Sequence, residues 1–364
     1  MRGPNPKETP MERYIGLDVH AQSCTLVVLS GTGKQLKHEV VETNGAALKQ
    51  ALRAIPGPKR ICLEEGTQSA WLYELLRSEA DDVVVTMPAK RAGLKDDERD
   101  AAALAESLRS GTNLRRVYKG VGPYSELRAA VKSYGMLRGD VRRTKNRLKA
   151  IYRSRGLQPP GGQAFHEEKH EAWVAKLPKE HRLSAEVLLA ELETLEKLWG
   201  QAEERLHEAS TRHRIVKLLA TAPAIGPIRA AQIVATVVTP ERFRTKRQFW
   251  AYCGLAIVTR SSADWVRDRT GRWVRAQTQQ TMGLNRNRCG TLKEVFKGAA
   301  HQVAMQMKSH PLHADYQRLL ERGLKPNLAM VTMARRISAA VLAMWKHEEA
   351  YDPEKHETRT TAQA

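Results

Sequence analysis

Between residues 13 and 90 short apolar runs alternate with polar breaks. The runs YIGLDV, CTLVVL, LKHEVVE, RICLEE and DVVVTM are of strand length and rich in β-branched residues. GTGK at 31–34 is a turn, which predicts a hairpin between the second and third runs. Amphipathic stretches at about 44–55 and 68–80 read as helices. The resulting order, β-β-β-α-β-α-β-α, predicts an α/β domain built on a mixed sheet with crossover connections. Its last helix begins near KDDERDAAALAESLRSG and ends at Gly111, a natural C-cap.

The pattern then turns helical. Residues 127–155 carry ten Lys/Arg and one acid. QPPGGQ (158–163) breaks the chain. Within 181–208, Leu188, Leu192, Leu195, Trp199, Ala202 and Leu206 recur at alternating spacings of four and three, a heptad seam with frequent acids around it. Such a seam serves either a helix packed on its own chain or a coiled coil with a second copy. A further, mainly α-helical segment runs from 213 to 351. The ends, residues 1–12 and the polar tail DPEKHETRTTAQA, read as disordered. The expected domains are thus 13–125, 126–212 and 213–351.

Charge narrows the partners. The 364 residues hold 60 Lys+Arg against 40 Asp+Glu, a net +20, which favours a polyanion and nucleic acid above all. No apolar run reaches the ~18 residues of a membrane span, and the first residues have no signal-peptide apolar core. Cys24, Cys62, Cys253 and Cys289 form no CxxC pair. Reduced thiols and a cytoplasmic, nucleoid-associated location are the expectation.

An acid sits where the first strand pattern wants Val or Ile: Asp18, with His20 two residues on. A buried carboxylate without a compensating charge costs several kcal/mol or is neutralised. Other acids gather in the same domain. Glu64 and Glu65 close the RICLEE run, and Asp96, Asp97 and Asp100 open the following helix, where Asp97 and Asp100 share a face. Hard divalent cations take such oxygen ligands, and two-metal phosphoryl transfer uses them. Each acid also has a plain alternative. Asp18 can be a turn former at an exposed strand end, Asp96 or Asp97 can cap the helix, Glu65 can be a solvated edge residue, and His20 a satisfied neighbour of Asp18.

The second half carries two further features. LLATAPAIGPIRAAQIVATV (218–237) resembles a helix-hairpin-helix, whose backbone amides at Gly226 would hold a phosphate; Ala224 stands where a hairpin glycine is usual. Residues 259–297 hold nine Lys/Arg and three acids, with Trp265 and Trp273 set among Arg260, Arg267, Arg269, Arg272 and Arg275. Basic residues bind phosphate, and exposed aromatics stack on unpaired bases; the tryptophans equally suit a core. Ser261 and Ser262 lie beside Arg260. A serine hydroxyl needs activation to act as a nucleophile.

Four motifs in this order resemble one family: GLDVH, CLEEGTQSAWLYELL, KDDERDAAALAESL and GLAIVTRSSADW, spanning roughly residues 13–350. The chain is similar to the DEDD transposases of bacterial insertion sequences, now described as bridge-RNA-guided recombinases. The resemblance implies an RNase H-like (RuvC-like) first domain and a C-terminal transposase domain with a nucleophilic serine. It implies the acid set Asp18, Glu64, Asp97 and Asp100 as catalytic Mg2+ ligands, with Asp96 a bystander, and Ser262 as nucleophile. Ile257 and Ala263 depart from the family pattern, and Ser261 stays the alternative. The resemblance also implies donor and target DNA, a structured guide RNA, and a homo-oligomer, dimer or tetramer. Arg142, Arg143, Lys145, Arg147 and Lys149 of the basic helical stretch are the RNA-contact candidates. Serine and acids fall in different domains and meet within one chain or across subunits. Three rival functions remain: a Holliday-junction type metal nuclease using water, an actin-like sugar or acetate kinase read from IGLDVH, and a non-catalytic RNA-binding protein.

Overall fold

The computed structural model describes residues 11–88, 96–120, 122–159, 162, 165–261, 265–275 and 279–353. The chain divides into two compact units, Met1–Val121 and Gly122–Ala364.

The first unit follows the sequence pattern. Strands β1 (Arg13–Val19), β2 (Ser23–Leu29) and β3 (Gln35–Glu42) are followed by helix α1 (Gly45–Arg53), β4 (Lys59–Glu64), α2 (Ser69–Leu76), β5 (Asp82–Thr86) and α3 (Asp97–Ser110). A short strand β6 (Arg116–Val117), too brief to register as a pattern, closes the sheet. The order is β3-β2-β1-β4-β5-β6. β1 pairs antiparallel with β2 and parallel with β4, and β4 pairs parallel with β5. This is the mixed sheet of the RNase H-like expectation. The GTGK turn forms as read: the Ser30 amide donates to Lys34 O, and Gly33 takes φ +87°.

Period-two alternation sends the sheet's side chains to two layers. Ile15, Leu17, Leu26, Val28, Ile61 and Leu63 pack against Leu48 and Leu52 of α1 and Leu72 and Leu76 of α2. On the opposite face, Val27, Leu29, Cys62 and Val84 meet Ala101, Leu104, Ala105 and Leu108 of α3. Gly16 lies beneath α3. A Cβ there would stand 1.8 Å from the Ala101 carbonyl oxygen and 2.6 Å from the Ala105 nitrogen. The bare backbone lets the helix descend onto β1.

The second unit is mainly helical: α4 (Ser125–Arg153), α5 (His170–Val174), α6 (Lys179–Thr211), α7 (Arg214–Leu219), α8 (Gly226–Val237), α9 (Lys246–Tyr252), α10 (Gly290–Gln306), α11 (Pro311–Glu321) and α12 (Pro326–His347). Among them lie four strands, β7 (Ile257–Ser261), β8 (Trp265–Arg267), β9 (Trp273–Arg275) and β10 (Gln279–Leu284). The core centres on α8, whose Ala230, Ala231, Ile233, Val234 and Val237 are buried among residues of α6, α10 and α12. The segment 126–212, expected as a linker, lies wholly in this unit.

Two helices bear on the sequence reading here. The heptad seam is filled from within the chain. Leu192, Ala202 and Leu206 are buried, Trp199 stands 6.0 Å from the Tyr134 ring of α4, and Leu189 joins Leu148 and Tyr152 of α4 in one cluster. These seam residues pack within the chain, one of the two readings that the heptad left open. The second is α12. By length and composition it could cross a membrane, whereas the sequence reading found no such run. Its apolar residues, among them Met333, Ile337 and Val341, lie in the helical core. Arg336 in its middle pairs with the buried Asp315.

Candidate active site and nucleic-acid surface

Asp18 and Glu64 stand at the C-terminal ends of adjacent parallel strands. The β1–β4 register pairs Leu17 with Leu63, so the next step along both strands sets Asp18 beside Glu64. Ligands in α/β sheets gather at such strand ends. Asp18 follows Tyr14 and Gly16 on the face that α3 covers. The sequence oddity of an acid in an apolar strand is thereby resolved: Asp18 is at the strand's rim, its side chain 19% exposed.

α3 delivers the other acids. Asp96 is its N-cap, accepting hydrogen bonds from the amides of Glu98 (3.1 Å) and Arg99 (3.4 Å) and pairing with the Arg99 side chain at 3.2 Å. With Asp96 so used, Asp97 points to the strand rim, and Asp100, one turn on, is half-buried. At the other end Gly111, φ +69°, terminates the helix in the left-handed region.

His20 joins the two groups. Its Nε2 lies 3.2 Å from Asp18 Oδ2 and 3.3 Å from Asp97 Oδ1. Ligand atoms of Asp18, His20 and Asp97 all fall within 4.8 Å of one another. The turn carrying His20 is pinned: its amide donates to Ser23 O (2.9 Å), and its carbonyl accepts from Thr43 Oγ1 (2.9 Å). His20 is therefore more than the neighbour of Asp18 that the sequence indicated. It bridges strand and helix.

A cleft of about 440 Å3 opens beside this cluster, lined by Asp18, His20, Glu64, Glu65, Gln68 and Ser69 among others. Glu65 is not the solvated edge residue expected. Lys119 Nζ donates to it at 2.6 Å and to Ser69 Oγ at 3.0 Å, and the Ser69 hydroxyl lies 3.2 Å from the same carboxylate. Its charge is balanced by Lys119. Glu64 stands beside Asp18 in register, while the ligand atoms that converge among the described residues are those of Asp18, His20 and Asp97. Two oxygen donors, a ring nitrogen and a neighbouring Glu suit a divalent cation. Beneath the site, burial pushes the Cys62 thiol up to about 12.

Sequence reasoning missed Gly16 and Lys119. A glycine inside the YIGLDV strand pattern was the available signal for Gly16. Lys119 lies in a loop with no pattern to mark it.

Comparison with protein families bears on the same residues. Residues 15–154 match the DEDD transposase model of the IS110 type, and residues 216–317 match that of the transposase IS116/IS110/IS902 family. The chain belongs to this transposase family. No curated protein matches it. As an insertion-sequence transposase it is an enzyme acting on DNA, and its DEDD domain implies use of a divalent metal.

In this transposase Ser262, immediately after β7, lies outside the described residues, as does Lys95 of the acid motif. Ser261 ends β7 opposite Gln279, and Arg260 stands opposite Gln280. The basic candidates divide. In α4, Lys145 pairs with Glu196 of α6 at 2.6 Å, Arg147 approaches Glu191 at 4.0 Å, and Arg143 pairs with Asp140 of its own helix. Lys149 lies 5.3 Å over the Phe165 ring. Arg142 is exposed, with no acid bridged to it among the described residues. The cationic surface of α4 is smaller than its composition implies, because α6 supplies acids alongside it.

The hairpin at Gly226 forms between α7 and α8, with Ala224 at φ +57° and Gly226 at φ +57°. Ala224 holds the left-handed conformation that glycine adopts more cheaply, by ~1 kcal/mol. Gly226 opens α8 half-buried, followed by Pro227. Arg267, Arg269 and Arg272 are all exposed, and Arg275 ends β9.

Proposed function

We propose that this transposase cuts and rejoins DNA through Ser262, assisted by magnesium held at Asp18, Glu64, Asp97 and Asp100. The convergence of Asp18, His20 and Asp97 within 4.8 Å, beside Glu64 on the next strand, is the observation that supports it. The Ser262 Oγ attacks a backbone phosphorus. A P–O bond to Oγ forms, the P–O bond to a deoxyribose oxygen breaks, and that oxygen leaves with a proton. A hydroxyl from another DNA end then reverses the step and releases the serine. When bound, the metal supplies Lewis-acid polarisation of a phosphoryl oxygen.

The chain's own residues do the rest. Asp18 and Glu64, on strands fixed by the sheet, form a rigid half of the site. Asp97 and Asp100, on the first turn of α3, form the other. His20 Nε2 stands 3.2 Å from Asp18 Oδ2 and 3.3 Å from Asp97 Oδ1, between the two halves. The arginines that follow Ser262 meet the negative phosphates.

A structured RNA encoded with the element selects the DNA sites in this reading, with Arg142 and its basic neighbours on α4 gripping RNA phosphates. Holding two duplexes calls for a homo-oligomer, dimer or tetramer. The test is a nicked DNA substrate that traps a cleavage intermediate, resolved on a denaturing gel. The wild-type chain gives a covalent protein–DNA adduct, and Ser262→Ala gives none while still binding DNA. Cleavage without an adduct, or by Ser262→Ala at the wild-type rate, assigns the attack to water and rejects the serine step.

A further inference from the structure

We infer that the β8–β9 ribbon is a stacking platform for the bases of single-stranded DNA, built on Trp265, Trp273 and Arg267. The two strands pair antiparallel with Trp265 opposite Arg275, Val266 opposite Val274 and Arg267 opposite Trp273. Alternation puts Trp265, Arg267 and Trp273 on one face and the two valines on the other. The tryptophans therefore sit on a diagonal, each opposite an arginine. Trp265 is 57% exposed and Trp273 60% exposed. The core reading of these tryptophans is thus set aside. The Arg267 guanidinium lies 5.0 Å from the Trp273 ring centroid, within cation–π range.

The ribbon is braced to present this face. Its turn is closed by hydrogen bonds from the Asp268 amide to Arg272 O (2.9 Å) and from the Gly271 amide to Asp268 O (3.0 Å). The Asp268 carboxylate accepts from the Thr270 amide (2.8 Å), the Thr270 hydroxyl (2.7 Å) and the Arg272 amide (3.0 Å). The ribbon's one acid is thus spent on its own turn, against Arg267, Arg269, Arg272 and Arg275. Rigid aromatics lose little entropy on contact, and the surrounding positive charge matches a polyanion.

Charge alone would fit a duplex. Two exposed indoles on one face fit bases that have left their own stack, because bases stacked within a duplex already cover each other's faces. DNA is the occupant because the chain is a DNA transposase. The inference rests on that assignment and not on Ser262, so a failed serine step leaves it standing.

The experiment uses the full chain and a short fluorescein-labelled DNA strand, its duplex, and the same sequence as RNA. Trp265→Ala and Trp273→Ala each weaken single-strand DNA binding by about tenfold, change duplex binding less than about twofold, and leave the salt slope unchanged. Trp273→Phe retains most of the affinity. Arg267→Ala flattens the slope of log K against log salt by about 0.7. Wild-type tryptophan fluorescence is quenched by the unlabelled strand, a readout that needs no variant. Unchanged single-strand affinity, equal loss for the duplex, loss confined to RNA, or absence of quenching overturns the inference. So does a change in sedimentation of the variants at unchanged DNA affinity, which would make the ribbon a contact between copies.

Discussion

At Gly16 the absence of a side chain sets the position of half the acid cluster. α3 crosses β1 so closely that a methyl group would overlap the Ala101 carbonyl, and Asp97 and Asp100 ride on that helix. Gly16→Ala should therefore cost about 3 kcal/mol in denaturant unfolding, as overpacking does, and weaken metal binding although Gly16 contacts no metal. Unchanged stability would show that α3 shifts freely. Asp268 offers a pH test. Its three accepted hydrogen bonds, the Thr270 hydroxyl foremost, hold its carboxyl below the usual range of 3.8. A depressed native pKa stabilises above the unfolded value and fades as pH falls through the native one. Near-UV circular dichroism of the ribbon tryptophans should hold steady above about pH 4 and collapse only below it. A transition centred near neutrality would contradict this.

At the scale of elements, the α4–α6 pair shows how composition misleads. Residues 127–155 look uniformly cationic, yet the antiparallel α6 sets Glu196 against Lys145 and Glu191 against Arg147. Exchanging a charge already paired should matter less for RNA or DNA binding than removing an open one. Arg142→Ala should lower affinity several-fold and flatten the salt slope, while Lys145→Met changes both less. Equal losses would mean that the ion pair opens on binding. Strands β1 to β5 and α3 were legible because their periodicities are local. The Asp18–Glu64 pair was legible only as two strand ends, and register supplied the rest. What escaped depended on contacts distant in sequence: Lys119 on Glu65, His20 across to Asp97, and α4 covering the heptad seam. The ribbon strands β8 and β9 were read only as a basic, aromatic stretch, because three-residue strands carry too little alternation to count.

For the whole molecule, a net charge of +20 makes affinity for nucleic acid steeply salt-dependent, whereas the proposed chemistry is placed at the small acidic centre of the first unit. That centre is the claim on which the account rests: Asp18, Glu64, Asp97 and Asp100 form one divalent-cation site, and Asp96 and Glu65 do not belong to it. Calorimetric titration of the full chain with Mg2+ or Mn2+ tests it most directly. The account predicts saturable binding that Asp18→Asn or Asp97→Asn weakens at least about tenfold, the loss of one charged ligand being worth more than 1.4 kcal/mol. Asp96→Asn and Glu65→Gln should bind as the wild type does. Wild-type affinity in Asp18→Asn, or equal losses in all four variants, would contradict it.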